Sequence, residues 1–154
     1  MTFDLEKTIR YWHEGAKYDL GVSDAMFKTK KYPYALSMGH LALEKLLKAF
    51  VVKNTKVHAP FSHSLPYLAE RSKVKIPEKI LIKLREFMEF HLEARYPDAN
   101  KAFYKKCTKA YTSKKLKEIK EVFKWVYPVR NSSPAIAGLE TERGIISNGV
   151  KTKL

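Results

Sequence analysis

Three side chains able to bind phosphate or move protons recur four residues apart on an otherwise apolar segment. They are His40, Glu44 and Lys48, with Lys45 beside them. Residues four apart lie on one face of a helix, where a Glu–Lys pair in this order contributes about 0.2–0.5 kcal/mol. Two interpretations are open. The residues form either a solvated stripe or the wall of a polar cleft, in which Lys45 and Lys48 bind phosphate and His40 orients or donates a proton.

A second set of polar side chains stands at a helix break, Arg95-Tyr96-Pro97-Asp98. Proline cannot continue a helix, and it pushes the residue before it out of the helical region. Breaks that only turn the chain more commonly use Gly, Asn or Ser. The guanidinium of Arg95 is suited to bidentate binding of a phosphate or carboxylate. It is equally suited to an ion pair with Asp98 or Glu93 that locks the turn.

The other histidines give weaker signals. His58 and His63 flank Pro60, but no third ligand stands at a supporting spacing, so the sequence predicts no metal site. We expect His63 to donate to a helix end or to an acidic neighbour. We expect His91 at the edge of the core, and His13 on the polar face of the first helix.

Composition indicates one domain of a cytoplasmic protein. The chain has 154 residues, 45% of them hydrophobic, and no apolar run near the roughly 18 residues that span a bilayer. A single cysteine excludes an internal disulfide and fits a reducing compartment. The net charge of +14 favours nucleic acid, nucleotides or acidic partners, or else a solvated lysine-rich surface. The phosphate-loop, dinucleotide, nucleophile-elbow and zinc-protease motifs are absent from the sequence, and we predict no cofactor.

Helical periodicity runs through most of the chain. The spacing predicts four main helices and one or two short ones: 4–28, 32–53, 78–94 and a last helix capped by Thr112 or Ser113, with the short pieces ending at Arg71 and over 99–106. No segment alternates with the period of two that is typical of strands. We therefore predict an all-α, up-and-down bundle of four to five helices over residues 1–127, with a disordered tail over 128–154.

The order of several motifs resembles that of HEPN domain proteins over roughly residues 4–127. The motifs are AKYDL from Ala16, YA from Tyr34, HLALEKLLKA from His40, HSLPYL from His63 and ARYPD from Ala94. The resemblance implies a helical bundle that usually dimerises. Many such proteins look like partners of minimal nucleotidyltransferases in toxin–antitoxin-like pairs. Others are metal-independent ribonucleases that use an Arg and a His, separated by four to six residues, across a dimer cleft.

The ribonuclease pattern does not follow Arg95, because residues 100–102 are Asn, Lys and Ala where the histidine would fall. One literal match lies elsewhere, in Arg85 and His91, which have five residues between them. On one regular helix these two side chains would point about 120° apart. Arg85 and His91 are the candidate catalytic pair, and the alternative is a charged helix surface with a core-edge histidine.

Two functions are consistent with these residues and with the resemblance. The first is a non-catalytic module, expected to be a homodimer, that binds a nucleotide and/or pairs with a nucleotidyltransferase. The second is a ribonuclease toxin in which Arg85 or Arg95 stabilises charge and His91 or His40 transfers protons. An interaction module without a ligand also stays open. The ligand-binding residues predicted for the first function are His40, Glu44, Lys45, Lys48, Arg95, Tyr96 and Asp98.

Overall fold

The computed structural model of the protein describes residues 3–92 and 97–130. Over these residues the chain forms six α-helices and one 3-10 turn, and no strand. They are α1 (Leu5–Lys28), α2 (Tyr32–Thr55), α3 (Leu65–Arg71), α4 (Glu78–Phe87), the 3-10 turn Met88–Phe90, α5 (Pro97–Lys106) and α6 (Lys109–Arg130). The all-α prediction is confirmed. No helix in these two described ranges is long and apolar enough to cross a membrane.

Helices α1 and α2 form an antiparallel pair joined by a tight connection. Helix α1 begins after Asp4, whose Oδ1 accepts a hydrogen bond from the backbone N–H of Lys7 at 3.0 Å. The chain turns at Lys30, where φ is 65°. The buried hydroxyl of Ser23 then donates to the carbonyl oxygen of Ala35 at 2.6 Å. These contacts fix how the two helices face each other.

Helix α2 is the central element, as its apolar circumference predicts. Fourteen of its 24 residues are buried, and α1, α3, α5, α6 and the 3-10 turn all pack against it. Helix α6 comes closest at Gly39, because a Cβ atom added there would lie only 2.8 Å from Cδ1 of Ile119. Most side chains of α2 therefore pack against a neighbouring element and not against solvent.

The predicted helix 78–94 ends earlier than expected. Helix α4 stops at Phe87, and the chain tightens into the 3-10 turn before His91 becomes extended, with φ −83° and ψ 92°. Side chains three residues apart are eclipsed in a 3-10 turn. The turn accordingly brings both Phe87 and Phe90 into the core, where each is at most 1% exposed. Packing of these two rings outweighs continuation of the α-helix.

The last two helices begin before their predicted starts. Helix α5 begins at Pro97, so Asp98 lies within its first turn instead of capping it from outside. Helix α6 begins after Thr108, whose Oγ1 accepts from the N–H of Tyr111 at 3.1 Å. Thr112, a predicted cap, is buried inside α6. Helix α6 continues to Arg130, so the predicted start of the tail at residue 128 falls inside this helix. Residues 131–154 lie outside the described residues, and their predicted disorder stays a prediction.

Candidate functional site

The polar face of α2 is buried. The exposed fractions of His40, Glu44 and Lys48 are 1%, 3% and 4%. Because α2 packs against five other elements, its polar residues do not form a solvated stripe, and that interpretation is wrong. Charged groups removed from water are costly unless they are paired, so the partners of these three side chains decide what they do.

The carboxylate of Glu44 is the centre of a buried network. Its Oε2 lies 3.0 Å from Nζ of Lys48, one helical turn further along α2. Its Oε1 accepts from Nδ1 of His63 at 3.0 Å, as expected for a histidine that donates to an acidic neighbour. Nδ1 of His40 is 4.0 Å from the same oxygen. Nζ of Lys48 also lies 5.0 Å from the centre of the Trp12 ring, within cation–π range.

Three imidazole rings cover this network, and we call them the histidine cluster: His40, His63 and His91. The ring of His91 stacks on His40 with 5.2 Å between centroids and 14° between planes. It also contacts His63, at 4.5 Å and 38°. The three residues come from α2, from the loop before α3 and from the end of the 3-10 turn. His63 is the exposed member, because 44% of its side chain is accessible to solvent.

Burial sets the protonation of His40. Burial first, and to a lesser degree the neighbouring His91 and His63, together lower the pKa of His40 from 6.5 to about 4, against the opposing pull of Glu44 and of the His63 backbone. His40 is therefore neutral at pH 7. A neutral ring with so low a pKa is a poor general acid near neutrality, because efficient proton transfer needs a pKa close to the working pH.

Lys45 has a different partner. Its Nζ lies 2.8 Å from Oδ2 of the nearly buried Asp19 on α1. The same side chain fills the space beside Gly15, where an added Cβ would lie 3.2 Å from Cδ of Lys45. Lys45 thus holds α1 against α2, and the structure does not bring it into the histidine cluster.

The candidate catalytic pair is not brought together within one chain. Arg85 is about half exposed on α4, and its Nη2 lies 2.7 Å from Oε2 of Glu78. His91 follows the 3-10 turn and points into the histidine cluster. Because α4 ends at Phe87 and a 3-10 turn follows, Arg85 and His91 do not lie on one regular helix.

The helix-break residues are described only in part. Arg95 and Tyr96 lie outside the described residues, and their predicted roles stay predictions. Asp98 is exposed in the first turn of α5. Helix α5 therefore opens with an acidic side chain, which favours the positive end of the helix dipole.

No metal-binding arrangement occurs in residues 3–92 and 97–130, since no three or more His, Cys, Asp or Glu side chains there are placed to hold an ion. His58 and His63, which flank Pro60, point to different neighbours. The ring of His58 lies edge-on to Phe3, with 4.4 Å between centroids, whereas His63 binds Glu44. The histidine cluster is stacked ring against ring, which is not the convergence of nitrogen atoms that a metal requires.

The sequence interpretation missed two aromatic contacts. Trp12 was not recognised as the partner of Lys48. His13 was expected on a polar face, but it is 2% exposed and packs against Tyr127, with 4.8 Å between ring centroids. The available signal was spacing, because Ile9, His13 and Ala16 follow the buried face of α1 at steps of four and three.

A groove between α1 and α6 lies apart from the histidine cluster. It contains two cavities, of about 370 and 340 Å³, which share Asp24 and Lys124. Further lysines at its rim are Lys17, Lys117 and Lys120, and apolar side chains including Leu20, Leu116 and Phe123 line the rest. None of the histidine, glutamate or lysine residues of the buried network lines this groove.

The model of one protein family matches most of the chain. The family model described as HEPN domain matches residues 9–131. The chain belongs to the HEPN domain family.

One solved structure shows the same fold. It is the crystal structure of TT1696 from Thermus thermophilus, which is 20% identical in sequence and superposes with a TM-score of 0.63. The match covers 77% of this chain and 94% of that chain. No curated protein matches the sequence.

Proposed function

We propose that this HEPN domain is a binding module that takes a nucleotide, free or at the end of an RNA strand, at the exposed side of His63. The observation that carries the proposal is that an exposed imidazole ring is held in place by a buried carboxylate. A buried ion pair, Glu44 with Lys48, holds Nδ1 of His63 at 3.0 Å, while 44% of the side chain stays open to solvent. Since Nδ1 is occupied, Nε2 is the polar atom of the ring left for a ligand.

The same geometry favours binding over catalysis. His40 is neutral at pH 7 with a pKa of about 4, and Arg85 is paired with Glu78 on the surface of α4. The net charge of +14 adds a long-range attraction for phosphate groups. Arg95, Tyr96 and Asp98 stay predicted ligand contacts, with Arg95 and Tyr96 outside the described residues, whereas Lys45 is paired with Asp19 and is not part of this site.

We propose further that the module is a homodimer and pairs with a minimal nucleotidyltransferase in a toxin–antitoxin-like system. Membership of the HEPN family and the motif order of the chain support this. Light scattering of the purified protein is expected to give twice the chain mass. Co-expression with a nucleotidyltransferase encoded beside it is expected to yield a complex, and a monomer that captures no such protein contradicts both parts.

The test of ligand binding is a nucleotide titration followed by thermal unfolding. A ligand at one hundred times its dissociation constant stabilises the folded protein by about 2.7 kcal/mol. We expect a shift for the wild type that is lost in His63→Ala. His58→Ala is the matched control, because His58 is in the same loop but contacts Phe3 and not Glu44. Absence of a shift with every nucleotide, or an equal shift in His63→Ala, contradicts the proposal.

A ribonuclease is the second candidate, and one observation favours it. Glu44 orients His63 through Nδ1, as carboxylates orient histidines that act as acid and base. Purified protein would then cleave RNA in the presence of a chelator. Cleavage would fall on substitution of His63 or His91 by Ala, and Arg85→Ala and Arg95→Ala would identify the cation. Intact RNA after prolonged incubation, or full activity of all four variants, excludes this function.

A further inference from the structure

Phe61 is the most exposed large hydrophobic residue of the described chain, with 98% of its surface accessible. Burying a side chain of this size is worth about 1.5–3 kcal/mol, and here none of that stabilisation is realised. Single exposed apolar residues are common on proteins, so exposure alone assigns nothing to Phe61. Its setting is what distinguishes it.

The backbone around Phe61 is held firmly. The N–H of Ser62 donates to the carbonyl oxygen of Pro60 at 2.9 Å, which closes a three-residue turn with Phe61 at its tip. The hydroxyl of Ser62 accepts from the N–H of Ser64 at 3.1 Å. Ser64 in turn caps α3 by accepting from the N–H of Tyr67 at 3.2 Å. The ring is therefore fixed at its base without being covered.

The neighbour of Phe61 is the exposed ring of the histidine cluster. The centroids of Phe61 and His63 are 6.3 Å apart, and their planes are tilted by 56°. His63 is itself fixed from below by Glu44. Two exposed rings thus stand side by side on a braced loop. One presents an apolar face, and the other presents a ring nitrogen able to form a hydrogen bond.

We propose that Phe61 is a stacking platform for an unpaired nucleobase whose polar edge or adjoining phosphate is bound by His63. This rests on the proposed nucleotide binding and names the part of the ligand that the loop contacts. Bases of single strands stack on exposed aromatic side chains, and no deep cavity is required. The +14 charge of the chain favours an anionic ligand, and the loop backbone, already held by hydrogen bonds, loses little freedom when the ligand binds.

The test compares RNA with and without bases. The probes are a fluorescein-labelled ten-nucleotide single-stranded RNA and an abasic oligonucleotide of the same length, titrated by anisotropy at fixed salt. Stacking of one base is worth roughly 1–3 kcal/mol, so Phe61→Ala is expected to weaken RNA binding about tenfold and to leave the abasic probe unaffected. Phe61→Trp keeps a platform and should retain affinity. Tyr18→Ala is the control, because Tyr18 is an exposed aromatic residue (74%) on α1.

The outcomes separate this inference from the proposed function. If the wild type binds RNA and Phe61→Ala binds it equally well, Phe61 is not a platform and nucleotide binding stands. If the wild type binds neither RNA nor any mononucleotide, the proposed function fails and the inference with it. If Phe61→Ala keeps RNA affinity but loses a nucleotidyltransferase partner, the exposed ring is a protein contact and the inference is overturned.

Discussion

The buried network around Glu44 and the α1–α6 groove each contain a Lys–carboxylate ion pair, but the two pairs differ in their exposure to solvent. In the groove, Nζ of Lys120 lies 2.5 Å from Oδ1 of Asp24, and both side chains are nearly half exposed. In the buried network, Lys48 and Glu44 are at a similar separation of 3.0 Å, but each side chain is at most 5% exposed. The groove contains two cavities, whereas the buried network adjoins His40, whose pKa is lowered.

The cavities of a protein and its most strongly perturbed ionisable side chains therefore need not lie in the same place. Water and salt screen the exposed pair in the groove, so its charges contribute little to stability. The buried pair has lost its hydration, so each charge depends on its partner, and the neighbouring His40 has its pKa lowered to about 4. Desolvation, more than shape, marks the candidate site.

Breaking the buried pair should cost the most stability. Glu44→Ala leaves Lys48 charged and without its carboxylate in a site that is 4% exposed. Removing one partner of a buried ion pair typically costs about 3–5 kcal/mol. We expect that loss in the free energy of unfolding, measured by urea denaturation. The double variant Glu44→Leu, Lys48→Met removes both charges and should recover most of it. A Glu44→Ala protein of wild-type stability contradicts the paired, buried assignment.

Acidification should act next most strongly, through His40. Its pKa is lowered from the ordinary 6.5 to about 4 in the folded protein. Between these pH values the unfolded chain binds more protons than the folded one. Stability contributed by neutral His40 is therefore complete above pH 6.5 and lost as pH falls towards 4, by up to roughly 3 kcal/mol.

Urea unfolding at several pH values between 4 and 7 measures this slope. His40→Gln lacks the titrating ring, so its stability should fall less with acidification than that of the wild type. Carboxylates titrate in both proteins and cancel in the comparison. Equal slopes in the two proteins would show that the ring of His40 is not the desolvated group.

Substitution of His63, the exposed member of the histidine cluster, should lower the free energy of unfolding less. His63→Ala removes one hydrogen bond to Glu44 at 3.0 Å, but the ring is nearly half exposed and water can replace it. We expect a loss of about 1 kcal/mol in unfolding free energy. His58→Ala, in the same loop, controls for loss of an imidazole alone. A loss as large as that of Glu44→Ala would mean that His63 seals the network from water.

The groove should be the least sensitive region. Asp24→Asn removes the negative charge beside Lys120 without a change in shape. Exposed ion pairs contribute about 0–1 kcal/mol, and any change should shrink further in 1 M NaCl, where screening is stronger. Denaturation at low and high salt measures it. A salt-insensitive loss of several kcal/mol would place this pair with Glu44 and Lys48 and remove the contrast between the two regions.

The sequence predicted the helices correctly where the spacing of residues within one helix determines them. Helices α1 and α2 follow their apolar spacing, and α3 ends at Arg71 as predicted. The prediction was wrong after Phe87, because burial of both Phe87 and Phe90 is decided by what they pack against. The start of α6 was also predicted too late, at Thr112 or Ser113, because Thr108 supplies the cap and Thr112 is buried inside the helix.

The amino-acid sequence alone was enough to specify an all-helical HEPN domain and to place His40, Glu44 and Lys48 on one face of α2. Helical periodicity requires the shared face, since residues four apart lie on the same side of a helix. The packing of the helices was needed to show that the face is dry, that His63 and His91 close over it, and that Arg85 turns away to Glu78. Spacing is a property of one helix, whereas the loss of hydration depends on every element packed around it.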